Sequence, residues 1–309
     1  MFPVGMQGVG PMEMESSRYY IARMNQKSDH KTALITGASS GIGFHLAREF
    51  AKHGHSLVLV APELAELEQI STQLQREFSV GVQPLAADLT DEDAPQSVYD
   101  RTVGRGLEIA ILVNNAGLGQ RGKFWENPPA RDIEMIRLNV EATVRMSRLF
   151  LPAMLARGEG RVLNTASIAG FEAGPNLAVY HATKAFVLSL SESLAEELKE
   201  TGVTITALCP GPTDTDFFPK AEMVDTKAFQ KANLMAPQDV AEAGYAALMK
   251  GERIIVPGAI NKMMVAGRRI LPESVQAKMN ESMYEETDPS ERKRERGDKE
   301  MEAAAKSKK

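Results

Sequence analysis

Short apolar runs rich in β-branched residues alternate along this chain with longer segments in which apolar residues recur every three or four positions. The short runs predict β-strands, and the longer segments predict amphipathic helices that pack on a sheet. The predicted strands cover residues 32–36, 56–60, 81–86, 109–114, 161–165, 204–208 and 253–256. The predicted helices lie at about 42–53, 65–78, 96–103, 129–157, 179–201 and 237–249.

Regular alternation of strands and helices is typical of parallel sheets. The strands are continuously apolar, which indicates that helices cover both faces of the sheet, and right-handed crossovers then determine most of its topology. We therefore predict an α/β fold in which a doubly wound, parallel sheet of seven strands forms a single domain over residues 31–284.

The two ends of the chain lack this pattern. Residues 1–30 are rich in Gly and Met and show no amphipathic period, which predicts a disordered extension. Residues 285–309 contain eight acids and eight bases and almost no large apolar side chain. Such a segment cannot bury enough surface to offset its ordering entropy, so we predict a solvated, disordered tail.

Charge and cysteine content narrow the possible functions. A net charge of −5 and a pI near 5.7 provide no basic footprint for nucleic acid, which is not an expected partner. The single cysteine, Cys209, lies in an apolar run and is interpreted as a core residue in a reducing, cytoplasmic compartment. The longest strongly apolar runs, such as residues 109–113, are far shorter than the roughly 20 residues of a membrane-spanning helix.

Proton-transfer chemistry is suggested by three residues. Tyr180 and Lys184 are four positions apart and share one face of a predicted helix, and Ser167 precedes them on a strand or loop. A lysine cation beside a tyrosine favours the phenolate and moves the phenol towards a useful acid/base range. The pair alone is a weak signal, because a surface pair with this spacing arises by chance in many helices.

A glycine-rich loop follows the first predicted strand and opens a helix, with the sequence Thr36-Gly37-Ala38-Ser39-Ser40-Gly41-Ile42-Gly43. Glycines permit a tight turn and a close approach of the backbone to a pyrophosphate, and the helix N-terminus attracts the anion. A plain turn between a loop and a helix is the alternative. The position after the first strand of an alternating chain makes dinucleotide binding the stronger interpretation.

Polar residues follow two later strands. Asp88 can accept a hydrogen bond from an adenine amino group or serve as a helix N-cap. The amides in Asn114-Asn115-Ala116-Gly117 come after the fourth strand, where they can tie strand ends together or line the ligand crevice. No metal is predicted, because the histidines at positions 45, 53 and 55 do not form a convincing metal triad.

Taken together, these motifs resemble the short-chain dehydrogenase/reductase superfamily over about residues 31–260. They are Thr36 to Gly43, Asn114 to Gly117, Asn139, Ser167, the Tyr180–Lys184 pair and Pro210-Gly211. The resemblance implies a Rossmann-type fold and a nicotinamide cofactor. It implies that Tyr180 is the acid/base and that Ser167 holds the substrate oxygen. Lys184 is then expected to bind the nicotinamide ribose and lower the tyrosine pKa, and Asn139 to position a relay water. For Asn139, a structural hydrogen bond to backbone at a helix kink is the alternative.

The same resemblance implies the residues that bind the cofactor: Gly37, Ser39, Ser40, Gly41, Ile42, Gly43, Asp88, Leu89, Asn115, Ala116, Gly117, Tyr180, Lys184, Pro210, Gly211, Thr213 and Thr215. NADP(H) is favoured over NAD(H), because Ala61 replaces the acid that would accept a ribose 2′-hydroxyl. Pro62 stands where NADP-dependent relatives carry arginine, and Glu63 would repel a 2′-phosphate if it faced the site. His30, Lys31 or Arg48 are alternative sources of positive charge.

The substrate end is less defined. Residues 213–235 resemble a mobile lid, with a helical pair packing on its own domain as the alternative, and residues 119–125 and 168–176 are expected as further walls. Phe171, Ala173, Phe217 and Phe218 predict a largely apolar pocket. The C-terminal helical part, about residues 259–284, can cap the pocket, pack on a second subunit or touch a membrane surface.

We therefore predict an NAD(P)(H)-dependent oxidoreductase that interconverts a carbonyl and an alcohol on a small to medium apolar substrate. The resemblance implies a homodimer or homotetramer formed through the helices that carry Asn139 and Tyr180. Two alternatives remain: a catalytically silent dinucleotide-binding sensor or scaffold, and a lyase or isomerase on the same fold.

Overall fold

The computed structural model describes residues 31–268 and 271–292. Seven parallel strands form one sheet in the order β3-β2-β1-β4-β5-β6-β7. Their bounds are Ala33–Thr36 (β1), Leu57–Ala61 (β2), Val82–Ala86 (β3), Ile111–Asn114 (β4), Gly160–Thr165 (β5), Val203–Leu208 (β6) and Ile254–Ile255 (β7). The strand order reverses between β1 and β4, and a doubly wound sheet binds its ligands at the carboxyl ends of the strands at this point. The predicted fold class is confirmed.

Five of the six predicted helices begin and end within four residues of their predicted bounds, and the described residues also form further short helices. The helices are Gly41–Lys52 (α1), Leu64–Phe78 (α2), Ala94–Arg101 (α3), Pro129–Ile136 (α4), Thr143–Arg157 (α5), Ala178–Glu197 (α6), Phe217–Lys220 (α7), Lys227–Gln230 (α8), Pro237–Lys250 (α9), Ala259–Arg268 (α10) and Glu273–Tyr284 (α11). The last two agree with the C-terminal helical part expected from the sequence.

Two apolar cores lie on opposite faces of the sheet. On one face, Phe50 of α1 and Leu248 of α9 pack against alternate residues of β1 and β2. On the other face, Phe150 of α5 packs against the intervening residues, such as Leu34 and Val58. Because successive side chains of a strand point to opposite faces, strands buried on both sides are apolar throughout.

The long helix predicted over residues 129–157 is interrupted. Residues Arg137–Ala142 adopt a π-helical turn between α4 and α5. Such wide turns release backbone groups from the regular helical ladder and are frequent at functional sites. Asn139 lies within this turn and is buried, at 2% exposure.

The chain remains packed beyond the end of α11. Glu286 pairs as an antiparallel bridge with Thr226, and the backbone N–H of Thr287 donates to the carbonyl of Asp225 at 2.7 Å. Thr287 is 1% exposed. The predicted start of the disordered tail at residue 285 is therefore wrong, because backbone pairing with residues 225–227 and the burial of Thr287 hold this segment. Residues 1–30 and 293–309, for which disorder was predicted, lie outside the described residues.

Candidate active site

A cavity of about 360 Å³ opens at the carboxyl ends of the central strands. Every residue that the sequence implied for cofactor binding lines it, from Gly37 of the glycine-rich loop to Thr215 of the lid. Ser167, Tyr180 and Lys184 line the same cavity, whereas Asn139 does not. The structure thus brings the predicted residues together, and their role in binding remains a prediction.

The glycine-rich loop has a backbone that other residues would distort. Gly37 and Gly41 have φ angles of +64° and +54°, in the left-handed region that favours glycine. A Cβ on Gly43 would lie 2.0 Å from the carbonyl oxygen of Gly37. Ser40, the N-cap of α1, makes no side-chain capping hydrogen bond. The helix N-terminus therefore faces the cavity without a side-chain cap from Ser40, an arrangement that fits a diphosphate.

The two asparagines after β4 have different roles. The side-chain amide of Asn114 donates to Asn164 Oδ1 at 2.9 Å and so ties β4 to β5. Asn115 lines the cavity, and its amide also donates to the carbonyl of Thr36 at 3.1 Å. The hydroxyl of Thr165 donates to Asn115 Oδ1 at 3.2 Å. Asn115 therefore combines both of the roles that the sequence left open.

Asp88 lies in a turn. Its carboxylate accepts hydrogen bonds from the backbone N–H and hydroxyl of Thr90, at 3.0 and 2.8 Å. Helix α3 begins only at Ala94, with Asp93 as its N-cap, so the alternative of a helix N-cap at Asp88 is wrong. Asp88 lines the cavity and remains a candidate for contact with adenine.

Three side chains with acid/base chemistry meet on one wall. A hydrogen bond links the Ser167 hydroxyl to the Tyr180 phenol. Ser167 Oγ also accepts the backbone N–H of Ala169 at 3.1 Å, so the short 3₁₀ turn after β5 orients it. Lys184 Nζ donates to the carbonyl of Thr165 at 2.8 Å and lies 5.8 Å from the centroid of the Tyr180 ring.

The pKa values of this wall are set by burial. Burial raises the pKa of Tyr180 to about 12, and the hydrogen bond from Ser167 opposes that rise. Burial lowers the pKa of Lys184 to about 8, with the nearby Cys209 thiol acting in the opposite sense. The lowering of the tyrosine pKa expected from Lys184 is not seen, because desolvation of the phenolate dominates. At neutral pH the phenol is protonated and the lysine is mostly cationic.

Asn139 is held by backbone and side-chain groups. Its amide donates to the carbonyl of Leu118 at 2.9 Å and to the Thr183 hydroxyl at 3.0 Å, and Oδ1 accepts the N–H of Leu118 at 2.8 Å. It therefore makes the structural hydrogen bonds at a helix irregularity that the sequence left as an alternative. The side chains of Asn139 and Lys184 both lie close to Gly117. A Cβ on Gly117 would lie 3.2 Å from Asn139 Oδ1 and 3.4 Å from Lys184 Nζ, so a larger residue at this position would crowd them.

The predicted apolar pocket is only partly correct. Phe217 and Phe218 of α7 line the cavity, and the ring centroids of Phe217 and Tyr180 are 5.2 Å apart. Phe171 and Ala173 are not among the lining residues of the described cavity. Within the wall predicted over residues 119–125, Gly119 lines the cavity, whereas Phe124 and Trp125 point into solvent.

Sequence reasoning missed a polar group at the substrate end. Four further residues line the cavity: Glu172, Arg268, Asn280 and Tyr284. Glu172 lies in a wall that the sequence did predict, but its partner Arg268 comes from α10, far along the chain in the C-terminal helical part. No local pattern indicates that the two meet. Met283 lines the cavity while Met263 is 67% exposed, so α11 is the part of the C-terminal segment that caps the pocket with a methionine.

The positive charges considered for a 2′-phosphate lie elsewhere. Lys31 pairs with Glu159, and Arg48 pairs with Glu77. Neither basic residue lines the described cavity, and His30 lies outside the described residues.

In the part of the chain that the structure describes, no helix is both long and apolar enough to cross a membrane. The same residues contain no group of three or more potential metal ligands arranged around one point.

A family model described as short chain dehydrogenase matches residues 31–224. The chain belongs to the short-chain dehydrogenase family. The prediction of an oxidoreductase of this family is thereby confirmed.

Two curated relatives and one solved structure illustrate the similarity. The human very-long-chain 3-oxoacyl-CoA reductase is 36% identical over 184 residues, which cover 58% of each chain. The NADP-dependent 3-hydroxy acid dehydrogenase of Schizosaccharomyces pombe is 32% identical over 74% of this chain and 90% of the relative. The structure of a short-chain dehydrogenase from Sphingobium yanoikuyae in complex with NADPH is 32% identical, with a TM-score of 0.70, and covers 84% of this chain and 99% of that chain.

Proposed function

We propose that this protein interconverts a carbonyl group and an alcohol by hydride transfer between its substrate and a nicotinamide cofactor. The proposal rests on one observation. Ser167, Tyr180 and Lys184 meet on the wall of the cavity that the glycine-rich loop also lines. A nucleotide-binding scaffold or sensor has no need of a buried lysine beside a tyrosine and a serine, whereas a proton-transfer site does.

The side chains divide the work of carbonyl reduction. The nicotinamide, when bound, supplies the hydride, which protein side chains cannot provide. Tyr180 donates its phenolic proton to the carbonyl oxygen, and the Ser167 hydroxyl hydrogen-bonds that oxygen as negative charge develops on it. Lys184 stabilises the phenolate that remains. We assign a second role to Asn139, in addition to its hydrogen bonds in the π turn. It positions the relay water through which a proton returns to the Tyr180 phenolate.

The protonation state of Tyr180 gives the two directions of the reaction different pH dependences. With a pKa raised to about 12, Tyr180 is protonated at neutral pH and is ready to donate a proton, as reduction requires. Alcohol oxidation needs the phenolate. At pH values below that pKa, the phenolate fraction increases about tenfold with each unit by which the pH rises. We therefore propose that the rate of alcohol oxidation rises with pH in this range, whereas the proton that reduction requires is already in place at neutral pH.

NADP(H) is the proposed cofactor. Ala61 ends β2 and lines the cavity, so no carboxylate stands there to accept ribose hydroxyls or to repel a 2′-phosphate. Glu63 would repel a 2′-phosphate if it faced the site. It is exposed, lies at the N-cap of α2 and is not among the residues that line the cavity. The NADP-dependent fission yeast relative and the NADPH complex of the Sphingobium enzyme support the same assignment.

The proposed substrate is a small to medium molecule with an apolar body. Leu177, Phe217, Phe218, Met223 and Met283 line the substrate end of the cavity. Burial of an apolar ligand surface against such side chains favours binding by about 25 cal/mol per Å². The name of the human relative, which specifies a 3-oxoacyl compound, supports a substrate with an acyl chain.

We also propose a homodimer or homotetramer in the cytoplasm. Ile133 and Ile136 of α4 and Phe186 of α6 are large apolar residues with 40–50% exposure on the helices beside Asn139 and Tyr180. Exposed apolar side chains on neighbouring helices favour association with a second copy. Light scattering on the purified protein tests this, and a monomeric mass at micromolar concentration would contradict it.

The experiment that tests the function is a panel of ketones, aldehydes and alcohols with both cofactors, followed by the absorbance of the reduced nicotinamide. Tyr180→Phe is expected to lower kcat at least 100-fold with little change in cofactor affinity. Tyr245→Phe is the matched control, because its hydroxyl bonds His55 at 3.1 Å in a core away from the cavity. Equal turnover by Tyr180→Phe and the wild type, or no turnover of any compound, would refute the proposal.

A further inference from the structure

A buried ion pair lies in the wall of the cavity at its substrate end. Arg268, the last residue of α10, pairs its guanidinium with the carboxylate of Glu172, which follows the 3₁₀ turn after Ser167. The two side chains are 10% and 4% exposed, and both residues line the cavity with Tyr180. Among the ion pairs of the described residues, no other has both side chains so deeply buried.

The pair is held in place from several sides. Arg268 Nη1 donates to the carbonyl of Ile168 at 2.9 Å. The amide of Asn280, from α11, hydrogen-bonds the Glu172 side chain and donates to the carbonyl of Ala173 at 2.7 Å. Together these contacts link the turn after Ser167 to both C-terminal helices. The guanidinium and the carboxylate therefore have fixed positions.

Stability alone does not explain this pair. Replacing a buried ion pair by apolar residues of similar volume is often neutral or stabilising, because desolvation of two charges offsets their attraction. The neighbouring wall is apolar, with Leu177 and Met283, so an apolar replacement is compatible with its surroundings. A recognition role accounts for charged groups at this position.

The charges of the surrounding groups indicate which ligand fits. A carboxylate placed against the pair meets the negative charge of Glu172, and an amine meets the positive charge of Arg268. Both are disfavoured in an enclosed site, where charges interact more strongly than in water. The pair as a whole is neutral, and it offers N–H donors beside a carboxylate acceptor. Lys220 also lines the cavity, but it is exposed on α7.

We infer that the Glu172–Arg268 pair selects carbonyl substrates whose far end carries a neutral hydrogen-bonding group, such as an ester, amide or hydroxyl, over substrates that end in a carboxylate. This inference rests on the proposed function, since it assigns the substrate class of the same cavity. Phe217, next to Tyr180, faces the apolar body of such a molecule, and the ion pair faces its polar end.

Three rigid ketones test the inference: para-acetylbenzoate, its methyl ester and acetophenone. The wild type is expected to show a kcat/KM at least tenfold higher for the ester than for the carboxylate. Glu172→Gln leaves the Arg268 cation without its counter-charge. This variant is expected to raise the ratio of kcat/KM for the carboxylate over kcat/KM for the ester at least tenfold. Lys262→Met is the matched control, because it removes an exposed cation of α10 that does not line the cavity, and it is expected to leave the ratio unchanged.

The double variant Glu172→Gln/Arg268→Met contains neither charge. In this double variant, the rise in relative kcat/KM for the carboxylate that Glu172→Gln causes is expected to disappear. The ratio of kcat/KM for the ester over acetophenone is expected to fall. If Glu172→Gln does not fold, this double variant decides: unchanged preferences among the three ketones overturn the inference. An unchanged ratio of carboxylate to ester in folded Glu172→Gln overturns it as well.

Binding is measured in parallel by the shift in Tm that each ketone causes in the protein alone, a readout that requires no turnover. The ester is expected to raise the Tm of the wild type more than the carboxylate does, and Glu172→Gln is expected to reverse this order. Equal shifts in both proteins overturn the inference. Absence of turnover in every variant would refute the proposed function, while the Tm shifts would still decide the selectivity.

Discussion

Replacing Lys184 by methionine is expected to stabilise the protein while abolishing its activity. Lys184 is 5% exposed, and burial lowers its pKa from 10.5 to about 8. The folded protein therefore disfavours the ammonium relative to the unfolded chain, and the charge lowers stability at neutral pH. Methionine keeps an unbranched apolar stem and removes the charge. Turnover is expected to fall, because the cation that we propose to stabilise the Tyr180 phenolate is lost.

The magnitude follows from two opposing effects. One pKa unit corresponds to about 1.4 kcal/mol, so the lowering from 10.5 to about 8 represents about 3 kcal/mol of destabilisation at neutral pH. The substitution also removes the hydrogen bond from Nζ to the carbonyl of Thr165 at 2.8 Å, at a cost of about 1 kcal/mol. The expected net result is a gain of about 2 kcal/mol in the free energy of unfolding.

The gain depends on pH in a defined direction. Below about pH 8, the lysine is charged in both the folded and the unfolded state, and the full penalty of burial is present. Between about 8 and 10.5, the folded protein has lost this proton and the unfolded chain still binds it, so wild-type stability rises with pH. The charge penalty that Lys184→Met relieves therefore shrinks over this range and is absent above it.

Urea unfolding of both proteins near pH 7 and near pH 10 measures the difference. Lys250→Met is the control, because the Lys250 side chain is 71% exposed and its charge is not desolvated. It is expected to change the free energy of unfolding by less than about 0.5 kcal/mol. A Lys184→Met variant that is less stable than the wild type near pH 7, or a gain that persists undiminished near pH 10, would refute the reasoning.

Two further substitutions address the cofactor and the π turn. Ala61→Asp is expected to lower the ratio of kcat/KM for NADPH over NADH at least tenfold, because the new carboxylate accepts ribose hydroxyls and repels a 2′-phosphate. Steady-state kinetics with both cofactors measure this ratio, and an unchanged value contradicts the prediction. Asn139→Ala is expected to lower the free energy of unfolding by about 2 kcal/mol, because it leaves the half-buried N–H and carbonyl of Leu118 without their partner. Urea unfolding measures the loss, and a change below about 1 kcal/mol would show that the turn does not depend on these bonds.

The sequence was sufficient wherever a local pattern determines the structure. The glycine-rich loop is an example, because Gly37 and Gly43 are required by a positive φ and by a close backbone approach. The meeting of Tyr180 and Lys184 on one cavity wall follows from their spacing on α6. The positions of Asn114 and Asn115 follow from the rule that parallel strands end at one edge of the sheet.

Long-range pairing could not be predicted in the same way. Glu172 and Arg268 lie far apart in the sequence, and each reads as an ordinary charged residue in its own segment. The same limit explains the wrong start of the tail at residue 285. The charges there do remain solvated, since the side chains of Glu285 and Glu291 are 54% and 57% exposed in their ion pairs. Backbone pairing with residues 225–227 and the burial of Thr287 order the segment, and a charge pattern reveals neither.

Stability and function make opposite demands on the wall of this cavity. Lys184 is buried with a lowered pKa, and Glu172 and Arg268 are buried as a pair, so each of the three charges carries a desolvation cost. Apolar side chains of similar volume would remove those costs. All three charges lie on the cavity that Tyr180 lines, and the two sheet cores consist of apolar clusters. Glu49, Asp132 and Asp214 are also buried but do not line the cavity, so burial of a charge does not by itself indicate function. Glu172, Arg268 and Lys184 are functional candidates because they share the cavity wall with the proposed acid, Tyr180.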